Sequence, residues 1–315
     1  TTNGSFLTRS VREWLDKNDV GILLSMDGPP ELHDQTRQTC GGGGTSRLLP
    51  APEELLAWRP NLEIAWQLDP SVEFLPRHID QMVALGFRHI NWNVNFSKGV
   101  EWCGDAARRL ETFFEHAGRL MMRAELASNW RQRIERLLNE RERQAVPCGT
   151  GHSMVGVSPE GWIYPSQEMV YTVFLPDRAP GTAEFYRLGD VFRDPVIDEA
   201  VLRRVSEIRT AQLRPPAGFD CTTCWARVAC LGGCHCQYAG QDGIDPANRY
   251  DVAIGFCQSL RAVFTGLVRG AIAAGKVGDL IKANDLGAQV GMINRKLDTL
   301  TRRIEAAPFV RMEVA

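Results

Sequence analysis

The sequence has no marked excess of either charge: 36 Lys and Arg stand against 38 Asp and Glu, a formal net of −2. With no long basic run either, it offers no electrostatic footprint for nucleic acid. It also lacks the run of about 18 apolar residues that a membrane-spanning helix needs. The best candidate, Ala262 to Val277, is broken by Arg269 and Lys276 and reads as the helix of a soluble protein. No secretory signal opens the chain, and no internal repeat is evident. There is no initiator Met, and TTNGSFLTRS opens as if in mid-domain, so the expectation is a piece of a longer, cytoplasmic protein. An even cysteine count is missing as well. Nine Cys in 315 residues do not make the disulfide frame of a small secreted scaffold, and point instead to metal or redox chemistry.

What is present is enough apolar sequence, 44%, for a substantial core and two domains. From Thr1 to about Asn139, short apolar runs alternate with helical patterns. Val20 to Met26 (VGILLSM), Leu62 to Leu68 (LEIAWQL) and Arg88 to Val94 (RHINWNV) read as strands. The first ends in the turn DGPP, after which ELHDQTR starts a loop or helix. Val72 to Leu85 carries helical spacing and stops at Gly86; Cys103 to Arg119 and Trp130 to Arg143 read as amphipathic helices. Strand alternating with helix predicts a parallel α/β sheet or barrel, with functional residues at the carboxyl ends of strands. Thr2-Asn3-Gly4 and Ser25-Met26-Asp27-Gly28 both read as such ends. From Pro147 the texture turns rich in Gly, Pro and Cys. There Val155 to Val157 and Trp162 to Tyr164 flank PEG, a predicted hairpin, and Gln258 to Ala306 is predicted helical.

Five of the nine cysteines crowd into sixteen residues, CTTCWARVACLGGCHC. Cys221, Cys224, Cys230 and Cys234 follow C-x2-C-x5-C-x3-C, with Cys236 two further on, Cys257 downstream and Cys148 upstream. A C-x2-C step lets two thiolates reach one metal, and Gly232-Gly233 lets the backbone fold round it. On spacing alone, zinc and iron–sulfur both stay open.

The run CGTGHSMVGVSPEGWIYPS from Cys148, then CTTCWARVACLGGC, then Cys257, resembles the SPASM domain of radical S-adenosylmethionine enzymes. TTNG and SMDGPPELHDQTR resemble the third and fourth strands of the partial barrel in the same enzymes. The resemblance implies a partial (β/α)6 TIM-like barrel lacking its first strands over 1–145. A SPASM domain with a small hairpin over 146–257 and C-terminal helices over 258–315 would follow. It implies one or two auxiliary 4Fe-4S clusters, the outer held by Cys221, Cys224, Cys230 and Cys257, with Cys234 joining Cys148 at the inner one. It also implies S-adenosylmethionine as cofactor, with Ser25 and Asp27, then Thr2 and Asn3, on the cofactor side. A peptide or protein substrate, modified through a 5′-deoxyadenosyl radical, and a flavodoxin or ferredoxin as electron donor complete the picture.

Three departures from that pattern matter. The second cysteine of the domain falls on Ser166, a poor ligand for a soft iron centre, so the inner cluster would be incomplete, altered or absent. Cys236, His152 and His235 are the substitutes at hand. The aspartate base of sulfatase-maturating members is replaced by Gln167, which argues against formylglycine formation by that route. No C-x3-C-x2-C triplet, the holder of the catalytic cluster, occurs, so these residues alone are not expected to cleave S-adenosylmethionine.

Plainer readings stand beside these. Ser25 could simply cap a strand end, Asp27-Gly28 and Asn3-Gly4 could be turns, and His33-Asp34 with Arg37 a local structural ion pair. Gly41 to Gly44 lacks the Lys-Ser or Lys-Thr of a phosphate loop and reads as a flexible loop. Trp66 and Trp92 read as core rather than cavity lining, and Cys40 and Cys103 as thiols outside the ligand pattern. The whole-chain alternative is a zinc-binding or cluster-bearing scaffold without catalysis.

Overall fold

Strand and helix alternate along residues 1–139 as the apolar patterning requires. The computed structural model describes residues 1–95, 100–139, 155–172, 182–193, 196–206, 213–230, 250–251 and 254–275. These fall into two units, one of residues 1–95, 102–139 and 261–275 and one of the remainder.

In the first unit, α1 (Arg9–Lys17) precedes β1 (Leu23–Ser25), and α2 (Pro30–Thr36) and α3 (Pro52–Trp58) lead to β2 (Glu63–Leu68). Then come α4 (Pro76–Ala84), β3 (His89–Val94), α5 (Gly104–Met122) and α6 (Arg131–Asn139). The strands form a parallel sheet in the order β1-β2-β3. Parallel bridges at Thr2, beside Leu24, and at Ala127, beside His89, widen it at both edges. The chain thus crosses the sheet repeatedly in strict sequence order, without the reversal that marks a doubly wound sheet.

Where element boundaries differ from expectation, the backbone says why. β1 is shorter than Val20 to Met26 because the Val20 N–H closes the end of α1 on the Leu15 carbonyl (2.9 Å), after Asp19 at φ 51°. An N–H spent on a helix end cannot enter a ladder. α4 starts at Pro76 rather than Val72, since the residue before a proline is pushed out of helical geometry. His78 Nδ1 accepts the Leu75 N–H (3.1 Å), capping that start, and Gly86 at φ 98° ends the helix.

β3 alternates buried with more exposed positions, and β2 does so except at Ala65, which is buried as well. Ile64, Trp66, Leu68, Ile90, Trp92 and Val94 are buried, and Trp66 and Trp92 meet α5. Phe113 lies edge-on to Trp66 (5.4 Å), Trp92 (5.8 Å) and Phe74 (5.3 Å), and Phe114 edge-on to Trp92 (5.5 Å) and Trp130 (5.5 Å). Each such side chain contributes on the order of 2–3 kcal/mol by burial. Trp66 and Trp92 are therefore core, as read from sequence.

In the second unit, β4 (Gly156–Val157), β5 (Trp162–Tyr164) and, after α7 (Gln167–Thr172) and α8 (Thr182–Tyr186), β6 (Gly189–Asp190) form an antiparallel sheet. The predicted hairpin is present, and Gly161 turns it at φ 89°. α9 (Glu199–Ser206), β7 (Leu213–Arg214), α10 (Arg227–Cys230), β8 (Tyr250–Asp251) and α11 (Ile254–Ala273) follow. β7 and β8 pair in parallel. The predicted C-terminal helicity starts earlier than Gln258, and residues 276–306 lie outside those described. Within the first unit, α11 packs on α5 at backbone contact. A Cβ at Gly266 would sit 2.2 Å from the Glu111 carbonyl, and one at Gly270 2.2 Å from that of Glu115. Arg269 pairs with the buried Glu111 beside this contact.

Candidate functional site

The face of the sheet opposite α5 is largely polar, with Leu23 and Ala65 as its apolar members. In β3 it presents His89, Asn91 and Asn93, and in β2 Glu63, Ala65 and Gln67; Asp69 and Asn95 continue the alternation past the strand ends. Register arranges these into rungs: Ser25, Ala65 and Asn91 share one, and Gln67 and Asn93 share the next. A parallel sheet covered on both faces by apolar layers would read as continuous hydrophobic runs. This one does not, so its second face is not covered by an apolar layer.

Some of these groups are committed. Asn91 donates to Glu63 Oε2 (2.9 Å) and accepts from the Asn129 N–H (3.2 Å). Asp69 accepts from Asn95 Nδ2 (2.6 Å) and from the Ser71 N–H (2.9 Å) and hydroxyl. Burial pushes its carboxyl up, but the bonds from Ser71 and Asn95 outweigh that and leave it below the usual carboxylate range. Others are uncommitted. Ser25, Gln67 and Asn93 find no side-chain hydrogen-bond partner among the described residues; Asn93 is exposed and the other two are half-buried.

Thr2 and Ser25, both predicted site residues, lie on adjacent passes: the Ser25 N–H donates to the Thr2 carbonyl (2.8 Å). The Thr2 hydroxyl accepts from Gly4 N (3.1 Å), and Asn3 Oδ1 accepts from the Ser5 N–H (3.2 Å) and hydroxyl (2.8 Å), so TNGS is a side-chain-closed turn.

Asp27 is buried just beyond β1, and four donors fill its carboxylate. Arg37 Nε (2.7 Å) and Thr36 Oγ1 (2.9 Å) reach Oδ2; Arg37 Nη2 (3.2 Å) and the Gln67 N–H (2.8 Å) reach Oδ1. The forked Arg37 contact neutralises the charge, and the Gln67 bond ties β1 to β2. His33 completes the arrangement. Its Nδ1 accepts the Asp27 N–H (3.1 Å). The Thr45 hydroxyl donates to the Arg37 carbonyl (3.1 Å), which leaves its oxygen to accept from His33 Nε2 (3.0 Å). That sequence of bonds assigns the neutral, Nε2-protonated tautomer. Burial holds the His33 pKa below its ordinary value, Arg37 adds to this, and Asp27 and Asp34 oppose it. Asp34 accepts from Ser46 N (2.8 Å) and Oγ (2.7 Å), and a Cβ at Gly44 would stand 2.0 Å from its carboxyl carbon. The motif SMDG…HD…R is therefore one knot that fixes the carboxyl end of β1. The glycine run beside it, expected as a flexible loop, folds as a turn in which the Thr39 N–H reaches the Gly43 carbonyl (2.8 Å) and Gly43 N reaches the Thr39 hydroxyl (3.2 Å).

In the second unit, Asp220 organises the turn that carries the C-x2-C step, accepting from Thr222 N (2.8 Å), Thr222 Oγ1 (2.7 Å) and Thr223 Oγ1 (2.9 Å). These bonds hold its carboxyl below the usual range. The Cys224 carbonyl then accepts from Arg227 N (3.1 Å), opening α10, whose last residue is Cys230; Cys257 lies in the first turn of α11. Cys221, Cys224, Cys230 and Cys257 are all half-buried, whereas Cys40 and Cys103 are exposed. Cys148, Cys234 and Cys236, with His152 and His235, lie outside the described residues. Thiols are the right donors for iron or zinc, but no group of three or more His, Cys, Asp or Glu is gathered for a metal among the described residues. Ser166, at the place of the missing cysteine, is buried at the start of α7, and its carbonyl would lie 2.7 Å from a Cβ at Gly156.

Sequence reasoning named Thr2, Asn3, Ser25 and Asp27 but missed Gln67, Asp69, Asn91, Asn93 and Asn95. The signal was in plain view: HINWNVN alternates polar with apolar, and EIAWQLD does so apart from Ala65.

No family model matches the chain, and no curated protein matches it. Solved structures do. The chain is similar to anSMEcpe with bound AdoMet in two structures. In one the TM-score is 0.56 and the identity 17%, over 96% of this chain and 74% of that one; in the other, 0.59 and 18%, over 88% and 74%. A complex of anSMEcpe with AdoMet and the Cp18Cys peptide matches with TM-score 0.56 and 18% identity, over 88% and 75%. SuiB of Streptococcus suis bound to S-adenosylmethionine matches with TM-score 0.50 and 13% identity, over 81% and 58%. At these identities the likeness establishes a shared fold.

Proposed function

We propose that the chain is part of a radical S-adenosylmethionine enzyme of the SPASM type that modifies a peptide or protein side chain. The observation that carries this is the ordered parallel sheet with one polar face, in a fold shared with enzymes holding AdoMet and, in two complexes, a peptide. AdoMet would be held at the carboxyl ends of the strands, by the Ser25 hydroxyl, which has no partner among the described residues and could bond a ribose, with Thr2-Asn3 at the neighbouring edge. Asp27 is a positioning residue: its carboxylate is already saturated by protein donors, so it acts by holding Ser25 and Gln67 in place.

In the family the chain resembles, the bound cofactor and its cluster supply a 5′-deoxyadenosyl radical that removes a hydrogen atom from the substrate. These 315 residues contain no C-x3-C-x2-C triplet, so they contribute cofactor and substrate contacts rather than that cluster. Cys221, Cys224, Cys230 and Cys257 are proposed for an outer auxiliary cluster, with Cys148, Cys234 and Cys236 for a second. Gln167 cannot take a proton near neutral pH, which disfavours formylglycine formation and favours a crosslink or other oxidation. A cytoplasmic setting with a flavodoxin or ferredoxin donor belongs to the same proposal. Among the described residues no helix is long and apolar enough to cross a membrane.

Two measurements test it. Calorimetric titration of the chain with AdoMet should show binding that Ser25→Ala weakens by about tenfold, the worth of one buried hydrogen bond. Anaerobic reconstitution should give brown protein with iron and acid-labile sulfide; colourless protein loaded with zinc alone would instead establish the structural-scaffold alternative.

A further inference from the structure

We infer that Gln67 and Asn93 form a two-amide rung that hydrogen-bonds a backbone amide of the peptide substrate; this rests on the reading above and names what the polar face recognises. The two residues are paired in register on adjacent parallel strands. Neighbouring strands run about 4.8 Å apart, so the two residues rise side by side from the same face of the sheet. Each carries an NH2 donor and a carbonyl acceptor, and neither is used by another side chain among the described residues. A pair of amides at that spacing offers one donor and one acceptor to a group that has both.

Three observations narrow the class of ligand. The rung carries no uncompensated charge: the nearest carboxylate in the row, Asp27, is neutralised by the fork of Arg37. One step toward the rim, Asp69 is anionic and bonded only to neutral donors, so a carboxylate or phosphate on the ligand is repelled. The aromatic side chains of the same strands, Trp66 and Trp92, are buried against Phe113 on the other face, so they give no stacking plane here for a nucleobase. A planar, neutral donor–acceptor group without a stacking requirement is a peptide unit. Ser25, one rung back, keeps its separate role toward the cofactor.

The test uses the full chain, isotope-labelled at side-chain amides, with the Gln67 and Asn93 NH2 signals assigned from Gln67→Leu and Asn93→Leu. The probe is N-acetyl-trialanine N-methylamide, titrated to millimolar concentration, with AdoMet titrated separately. The peptide should shift both NH2 signals saturably, and Asn93→Leu should weaken its binding about tenfold while leaving the melting temperature unchanged. Asn93 is exposed, so that variant keeps the fold even if Gln67→Leu does not. A peptide titration that moves neither signal overturns the inference, as does AdoMet moving both when the peptide does not. Either result leaves the cofactor proposal standing if AdoMet binding is still weakened by Ser25→Ala, so the two ideas fail separately.

Discussion

Arg37→Leu is the sharpest probe of the knot at the end of β1. The Asp27 side chain is 4% exposed, and Arg37 gives it two of its four hydrogen bonds. Removing one partner of a buried ion pair costs roughly 3–5 kcal/mol, because the other charge stays behind without compensation. Arg37 is 31% exposed, so water screens part of the interaction, and the expected loss falls to about 2–3 kcal/mol. Denaturant unfolding should read that directly, and the melting temperature should drop by about 5–10 °C. The damage should also be local. The Gln67 N–H donates to Asp27, so its hydrogen exchange should accelerate before that of the Ile90 or Trp92 amides. Arg37→Lys keeps the charge but loses the fork and should cost about 1 kcal/mol. Asp27→Asn combined with Arg37→Leu should cost no more than Arg37→Leu alone, since no buried charge is then left unpaired. An Arg37→Leu variant within about 0.5 kcal/mol of the parent, with Gln67 exchange unchanged, would mean that the ion pair does not hold this end of the sheet.

At Gly266, helix propensity alone would reward alanine by about 1 kcal/mol. Its Cβ, however, would stand 2.2 Å from the Glu111 carbonyl, so Gly266→Ala should destabilise by about 2 kcal/mol in urea melts. Gly21→Ala, where nothing lies within 4 Å, should be neutral or slightly stabilising; equal effects at the two sites would contradict the close packing of α5 and α11. His33 and His78 both have pKa values lowered from 6.5, chiefly by burial. The unfolded chain therefore binds more protons than the folded one below that value. Stability should be fully present above pH 6.5 and decline as pH falls from there, by up to about 1.4 kcal/mol per pH unit for each proton of difference. Unfolding free energies that stay flat between pH 7 and pH 5 would count against neutral, buried imidazoles.

Much of this protein is legible in its residues, and the reasons are local. The three strands, the stop at Gly86, the PEG hairpin and the identity of Trp66 and Trp92 as core all follow from period, turn chemistry and side-chain size, which act over a few residues. The C-x2-C-x5-C-x3-C spacing is similarly readable, since the reach between neighbouring thiols is set by the chain itself. Less legible is that HD and Arg37 belong with Asp27, because a hydrogen-bond partner ten or forty residues away leaves no periodic trace.

Residue type and order suffice to make strand and helix alternate, to leave one face of β2 and β3 polar, and to cluster thiols toward the carboxyl half. Which polar groups are spent and which are free is a property of the folded chain alone. Asp27, carrying the most conspicuous side chain of its motif, is saturated by Thr36, Arg37 and Gln67, while the unremarked Gln67 and Asn93 side chains have no hydrogen-bond partner among the described residues. Register sets that difference, and register is settled by how whole strands pair and bury their apolar face against α5, a balance that no single stretch of sequence contains.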